Sequence, residues 1–269
     1  MKKIFLFSLL ATSLFSCKKT SVDILESDGI SSEIKAKIAT LGFGTANVQK
    51  TDAGYLVEGD IELTDALLNS TPRQSLLRIA NNEQYRTTNL VTGLPRVITI
   101  MVSNLGTAFV SGTDLAIQRY NALGLRMTFQ RITSGTPNIT ILGFNQRPKG
   151  GFITLGSSGF PTSAGEPYNT VKMNTNTQAY GTNPDVFYVG SVIQHELGHC
   201  IGMRHTDYYD RSYSCGGAVS NEGASTVGAI LIPGTPSTAN AGSWMLACSN
   251  GGDRTFNSND VVGLNYLYQ

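Results

Sequence analysis

Runs of β-branched and apolar residues in the middle of the chain predict a sheet with helices packed against it. The clearest run, residues 96–102, is rich in Val and Ile and ends at Ser103 and Asn104. Residues 125–132, 138–144 and 170–174 predict further strands, and residues 113–123, with Gly124 as the stop, predict a helix. This order of elements indicates a mixed sheet with helices.

A longer helix is predicted after this sheet. Asn183 is its expected N-cap, and Pro184 occupies the first turn, where a missing N–H does no harm. Val186, Val189 and Ile193 then recur at helical spacing and supply a buried side.

The N-terminal third contains shorter elements. Residues 31–42 predict a helix that begins at Ser31 or Ser32 and is closed by Gly42, and residues 51–54 predict a turn between two short strands. The whole chain is therefore expected to have an α+β fold whose upper part is α/β-like.

The predicted long helix carries the sequence H-E-x-x-H-x-x-G-x-x-H, which holds all three histidines of the chain. His195 and His199 are four residues apart and share one helix face, and a turn at Gly202 would return His205 as a third ligand. Glu196 lies beside the first ligand, where a carboxylate can reach a water molecule on the metal. Three nitrogens and an open position are typical of a catalytic zinc site, whereas structural zinc has four protein ligands.

This motif matches the zinc signature of the metzincin metalloproteases. That superfamily has a methionine turn below the metal, and Ser243-Trp244-Met245-Leu246 is its counterpart here. Residues 256–268 resemble the closing helix of metzincin catalytic domains. The sequence H-E-L-G-H-C-I-G at residues 195–202 most resembles that of the bacterial dual-action HEIGH metallopeptidases.

The resemblance implies a zinc endopeptidase with one catalytic Zn²⁺, protein or peptide substrates, and Glu196 as the general base. It also implies that residues 150–156 are a candidate for the strand at the sheet edge, with which an extended substrate would pair. The expected catalytic domain is residues 85–269.

A segment ahead of that domain resembles the F-x-G-D-[IM] sequence in the propeptides of astacins, a metzincin family. Residues 57–61 read Val-Glu-Gly-Asp-Ile, with Val57 in place of Phe. In astacins the aspartate takes the zinc position that water needs, so the resemblance implies that Asp60 keeps the enzyme as a latent zymogen. A Gly-Asp pair in an ordinary hairpin turn is the alternative.

The N-terminus has the features of an export signal. Lys2 and Lys3 precede an apolar run at residues 4–15, which is too short to span a bilayer. Leu14-Phe15-Ser16-Cys17 resembles a bacterial lipobox, in which Cys17 would be lipidated. Residues 1–16 are thus expected to be a lipoprotein signal peptide, with an ordinary secretory peptide as the alternative.

Residues 17–84 are then the expected tether and inhibitory prosegment of an exported outer-membrane lipoprotein. A cut in the polar region 68–90 would withdraw Asp60 and free the catalytic domain from its lipid. Cys200, Cys215 and Cys248 remain after Cys17 is assigned, and three cysteines allow three pairings. We favour a Cys215–Cys248 disulfide.

The charge of the chain gives no support to a nucleic-acid-binding function. The net charge is +1 and no basic run is present, so nothing indicates nucleic-acid binding. We expect a monomer. Two other functions stay open: a catalytically silent metal-binding surface lipoprotein, and a zinc hydrolase of a non-protein substrate. Glu196 argues against the first, because a binding module does not need a base.

Overall fold

The structure is a computed structural model that describes residues 29–69, 84–149, 151–219, 221–222, 229–236 and 238–269. The predicted signal peptide, Cys17 and most of the predicted activation region lie outside these residues. Within the described ranges, no helix has the length and apolar character that a membrane crossing requires.

Regular elements occupy both parts of the chain. The N-terminal unit (residues 29–69) contains α1 (Ser32–Thr40), β1 (Gln49–Lys50), β2 (Gly54–Val57), β3 (Ile61–Thr64) and α2 (Asp65–Leu68). The C-terminal part (residues 84–269) contains β4 (Tyr85–Arg86), β5 (Arg96–Val102), α3 (Thr107–Asn121), β6 (Met127–Arg131), β7 (Ile139–Phe144), β8 (Gly156–Ser157), β9 (Thr170–Asn174), α4 (Thr177–Tyr180), α5 (Val186–Cys200), α6 (Ser212–Cys215), β10 (Ile230–Leu231) and α7 (Ser258–Tyr268).

The N-terminal unit is a small antiparallel sheet with α1 beside it. Ser31 caps α1 by accepting a hydrogen bond from the Ile34 N–H, and Gly42 follows the helix with a φ of 86°. Strands β1, β2 and β3 pair in that order, and the predicted turn at 51–54 joins the first two. The apolar core of this unit includes Phe160 of the C-terminal part, so the two parts are packed together.

The central sheet has five strands in the order β6-β5-β7-β9-β8. The first four are parallel, and β8 runs antiparallel to β9 at one edge. Helices α3 and α5 pack against each other through glycines: a Cβ on Gly112 would lie 2.9 Å from the backbone N of Gly190. The α+β fold with a mixed sheet, a long helix and a closing helix is confirmed, and it is consistent with a metzincin-like catalytic domain.

Two predicted helix boundaries are wrong. Helix α3 begins at Thr107 rather than at residue 113, because Gly112 lies inside it at the contact with α5. Helix α5 is capped by Asp185, whose side chain accepts from the Tyr188 N–H at 2.8 Å, so Asn183 and Pro184 precede the helix. The side chain that caps the helix thus lies two residues after the predicted cap, Asn183.

The predicted edge strand at 150–156 is also too long. Only Gly156 and Ser157 pair as a strand with β9, and upstream an isolated bridge joins Lys149 to Phe152. The edge strand is therefore only two residues long, and Ser158 follows it directly.

Candidate metal centre

Helix α5 and the turn after it bring three histidines together. His195 and His199 lie on α5, and the chain turns at Gly202, which has a φ of 105°. A Cβ at Gly202 would lie 2.9 Å from the Asn89 carbonyl oxygen, so the turn requires glycine twice over. His205 then returns to the site, with its Nε2 only 3.2 Å from Nε2 of His199.

Each imidazole is oriented by a hydrogen bond at its other nitrogen. Nδ1 of His195 lies 2.9 Å from the Trp244 carbonyl oxygen, and Nδ1 of His199 lies 2.8 Å from that of Met203. Nδ1 of His205 lies 3.0 Å from the Glu222 carboxylate. Since these oxygens accept hydrogen bonds, Nδ1 is the donating nitrogen of each ring, and Nε2 is the nitrogen that a metal ion would bind.

The donor set fits a zinc ion. One ligand atom from each histidine and one from Asp60 all lie within 4.8 Å of one another. Nε2 of His195 and Oδ1 of Asp60 are buried and have no hydrogen-bond partner among the described residues. Imidazole nitrogens and a carboxylate oxygen are ligands that zinc prefers, and an ion would satisfy the orphaned atoms.

Glu196 lies beside this set but outside it. Its carboxylate is buried, and the Ser158 hydroxyl lies 2.7 Å from Oε2. A Cβ on Gly156 would lie 2.8 Å from Oε1, so the edge strand presses directly on the carboxylate. Burial and the nearby charge of Asp60 raise the pKa of Glu196 well above its usual range. Sequence reasoning missed Ser158, because a lone serine after a strand carries no pattern.

Asp60 enters the site from the turn between β2 and β3. Its Oδ2 lies 3.1 Å from Nε2 of His205 and 3.4 Å from Nε2 of His195. Glu58 and Gly59 have φ values of 56° and 93°, and this tight turn presents the aspartate. Asp60 therefore belongs to a hairpin turn and also lies beside the histidine cluster.

A buried charge cluster supports His205 from behind, and sequence reasoning missed it. Glu222 accepts from Nδ1 of His205 and pairs with Arg211 at 3.0 Å and with Arg204 at 3.5 Å. Although burial opposes it, the charges of His205 and the two arginines lower the pKa of Glu222 to about 2. Burial and the charge of Glu222 raise the pKa of the neighbouring Glu58, against the attraction of Arg204. No periodic signal marks Glu222, which lies in an irregular segment.

Replacing Glu222 by alanine is expected to weaken zinc binding by about 10- to 100-fold, because His205 loses the acceptor that fixes its ring. Glu222→Gln keeps an acceptor and should lose less. Competition with a chromophoric chelator measures the affinity, and urea unfolding checks that each variant is folded. The control is Glu166→Ala, which removes an exposed carboxylate that pairs with Arg96. Unchanged affinity in Glu222→Ala would remove the residue from this role.

The predicted methionine turn lies under α5. Met245 is fully buried, and a Cβ on Gly198 would lie 2.6 Å from its Sδ and 2.4 Å from the Trp244 ring. Asp260 of α7 ties this turn down, since it accepts from the Ser243 hydroxyl at 3.0 Å and from the Trp244 N–H at 3.4 Å. The turn therefore packs directly on the helix that carries two of the histidines.

The structure joins Cys215 to Cys248 in a disulfide, which links α6 to the segment after the methionine turn. Cys200 is buried and free, and it is not among the residues that group around the histidines. Of the tyrosines after the motif, Tyr208 packs edge-on against Tyr85 with ring centroids 4.3 Å apart.

A family model matches most of the chain. Residues 56–268 match the family model described as dual-action HEIGH metallopeptidase. A solved structure titled "Structure of myroilysin" shares 16% identity with a TM-score of 0.45, over 68% of this chain and 97% of that one. A second, "Crystal structure of myroilysin", shares 16% identity with a TM-score of 0.42, over 67% and 86%. No curated protein matches the sequence.

Proposed function

We propose a latent endopeptidase activity for this chain, which belongs to the dual-action HEIGH metallopeptidase family. Family membership makes the chain a zinc metallopeptidase whose substrates are proteins or peptides. The observation that best supports the proposed chemistry is the convergence of three histidine Nε2 atoms beside a buried carboxylate that does not join them.

In the proposed mechanism, His195, His199 and His205 would hold the ion through Nε2. A zinc ion in such a site supplies a Lewis acid that acidifies water and polarises a carbonyl group. Glu196 accepts the proton of the attacking water on its carboxylate and returns it to the leaving amine. Ser158 holds that carboxylate by a hydrogen bond at 2.7 Å, and the edge strand β8 supplies backbone groups for an extended peptide.

Latency is proposed to come from Asp60. Its carboxylate lies among the ligand nitrogens, and its backbone occupies the sheet edge: the Ser158 N–H donates to the Asp60 carbonyl at 2.9 Å. While Asp60 stays there, both water and a substrate strand are excluded. Cleavage in the region 68–90 would release the block.

The chelator response tests the proposed activity. Chain that has been processed and loaded with zinc is expected to cleave unfolded protein at internal bonds, and a zinc chelator should abolish this cleavage. Added zinc should restore it. Metal binding without cleavage of any protein would instead favour a catalytically silent metal-binding protein, and hydrolysis of only a non-protein substrate would favour the other alternative.

We further propose that the chain is an exported monomeric lipoprotein of the outer membrane, acylated at Cys17. The support is the lipobox-like sequence alone, because Cys17 lies outside the described residues. Cys17→Ala is expected to move the protein from the detergent-extracted membrane fraction to the soluble fraction, since no acyl chain remains to anchor it. A Cys17→Ala protein that still partitions entirely into the membrane would contradict the anchor.

A further inference from the structure

We propose that the substrate cleft selects an acidic side chain through Lys172 and Tyr168, at the position that Glu62 now occupies. This inference rests on the proposed function and concerns the substrate class of the same site. It makes acidic peptides the preferred substrates.

The first observation is that side chains of the C-terminal part bind the buried carboxylate of Glu62. This residue belongs to the N-terminal unit, yet its side chain is only 1% exposed. Lys172 of β9 donates to Oε1 at 2.7 Å, and the Tyr168 hydroxyl donates to Oε2 at 3.3 Å. The remaining partner, the Thr51 hydroxyl, comes from the N-terminal unit itself. The C-terminal part thus offers a carboxylate one cation and one hydroxyl donor.

The second observation is that Glu62 lies where a substrate backbone would lie. Its N–H donates to the Ser158 carbonyl at 2.6 Å, and the Ser158 N–H donates to the Asp60 carbonyl at 2.9 Å. These are strand-pairing bonds to the free edge of the central sheet. Asp60 ends the turn before β3 and Glu62 lies in that strand, on either side of Ile61, which bridges Ser158. The Asp60 side chain contacts the histidines and the Glu62 side chain contacts Lys172. A peptide paired with Ser158 would present its alternate side chains in the same manner.

Release of the N-terminal unit would leave these donors facing the cleft. With the N-terminal unit in place, burial raises the pKa of Tyr168, so its hydroxyl is protonated where it donates to Glu62. Glu166 lines the same cavity of about 960 Å³, but it pairs with Arg96 at 2.8 Å and does not neutralise the lysine. Lys172 is 26% exposed even with Glu62 in place, so solvent reaches it from the cavity side.

An ion-paired hydrogen bond in such a partly desolvated place discriminates a carboxylate from an amide by roughly tenfold or more. The test uses full-length protein cut in the region 68–90 and loaded with zinc. Paired peptides that differ only by Glu or Gln at one position are scanned along the scissile bond. We expect kcat/KM to favour Glu by at least about tenfold at one position.

Variants assign that preference to Lys172. Lys172→Gln should reduce the Glu/Gln ratio of kcat/KM to about one. Lys172→Glu should reduce this ratio below one and should cleave a third peptide, with Lys at the same position, faster than the Glu peptide. Lys149→Gln, which changes an exposed lysine on the same part of the chain, should keep the wild-type ratio. A Glu/Gln ratio that persists in Lys172→Gln and is not reversed in Lys172→Glu would overturn the proposal.

A binding measurement separates failure of this inference from failure of the proposed function. A fluorescent peptide of residues 56–63, which lacks Thr51, is titrated into the cut, zinc-loaded Glu196→Ala protein and followed by anisotropy. For protein with Lys172, the Glu62→Gln peptide should bind about tenfold more weakly than the unchanged peptide. For the Lys172→Gln variant, the two peptides should bind with equal affinity. Equal affinity of both peptides for protein with Lys172 would refute the acidic subsite. Loss of all cleavage with the affinity difference intact would refute only the endopeptidase.

Discussion

Glu196→Ala is expected to lower peptide cleavage by about a thousandfold while zinc content stays at one ion per chain. General acid–base groups contribute on the order of 10²–10⁴ to rate, and Glu196 is the buried carboxylate that lies beside the ligand nitrogens without joining them. The three imidazoles are oriented by Trp244, Met203 and Glu222, so the substitution leaves the metal ligands in place. Steady-state kinetics and atomic absorption on the same preparation measure both quantities.

Ser158→Ala is the matched comparison for this prediction. It removes the hydroxyl that lies 2.7 Å from the Glu196 carboxylate but keeps the carboxylate itself. We expect a loss of about tenfold, because one hydrogen bond to a charged group orients the base. Full activity in Glu196→Ala protein that contains one zinc ion would remove Glu196 from its role.

Asp60→Ala is expected to raise the activity of the uncut, full-length chain by about 100-fold. Its carboxylate approaches His205 at 3.1 Å and His195 at 3.4 Å, and removal of a buried charged partner typically costs a few kcal/mol of the closed state. Without the Asp60 carboxylate, water can reach the ion, and the turn between β2 and β3 loses its contacts with the histidines. A fluorogenic peptide assay on uncut protein, with gel analysis to exclude processing, gives the result.

Asp52→Ala is the control for latency, because Asp52 is an exposed aspartate in the neighbouring turn of the same unit. It should leave the uncut chain as inactive as the wild type. If uncut Asp60→Ala protein is no more active than uncut wild type, the aspartate does not enforce latency.

Local spacing explains why the histidine cluster could be predicted from the sequence. Helix periodicity places His195 and His199, a glycine turn places His205, and the three side chains lie together in the structure. Their role as metal ligands stays a prediction. Strand β5 is likewise predicted by its run of Val, Ile and Thr, and both β5 and β9 have the predicted bounds. In these cases the information lies within a few residues.

The misses depend on contacts between distant segments. Gly112 directly precedes the predicted start of the helix, yet it lies inside α3, where a Cβ atom would clash with α5. Glu222 and Ser158 are single polar residues that belong to no sequence pattern, and only the folded chain places them against His205 and Glu196. Asp60 was found through a resemblance, and its position at the sheet edge could not be read from spacing.

In the proposed uncut chain, three histidines would hold one zinc ion and Asp60 would occupy its remaining position. Anomalous diffraction at the zinc edge, from crystals of the uncut protein, can locate this ion. We expect a single peak about 2.0–2.2 Å from Nε2 of His195, His199 and His205 and from an Asp60 oxygen. Absence of a peak from zinc-loaded crystals, or a peak at the neighbouring Glu58, His205 and Glu222 group instead, would contradict it.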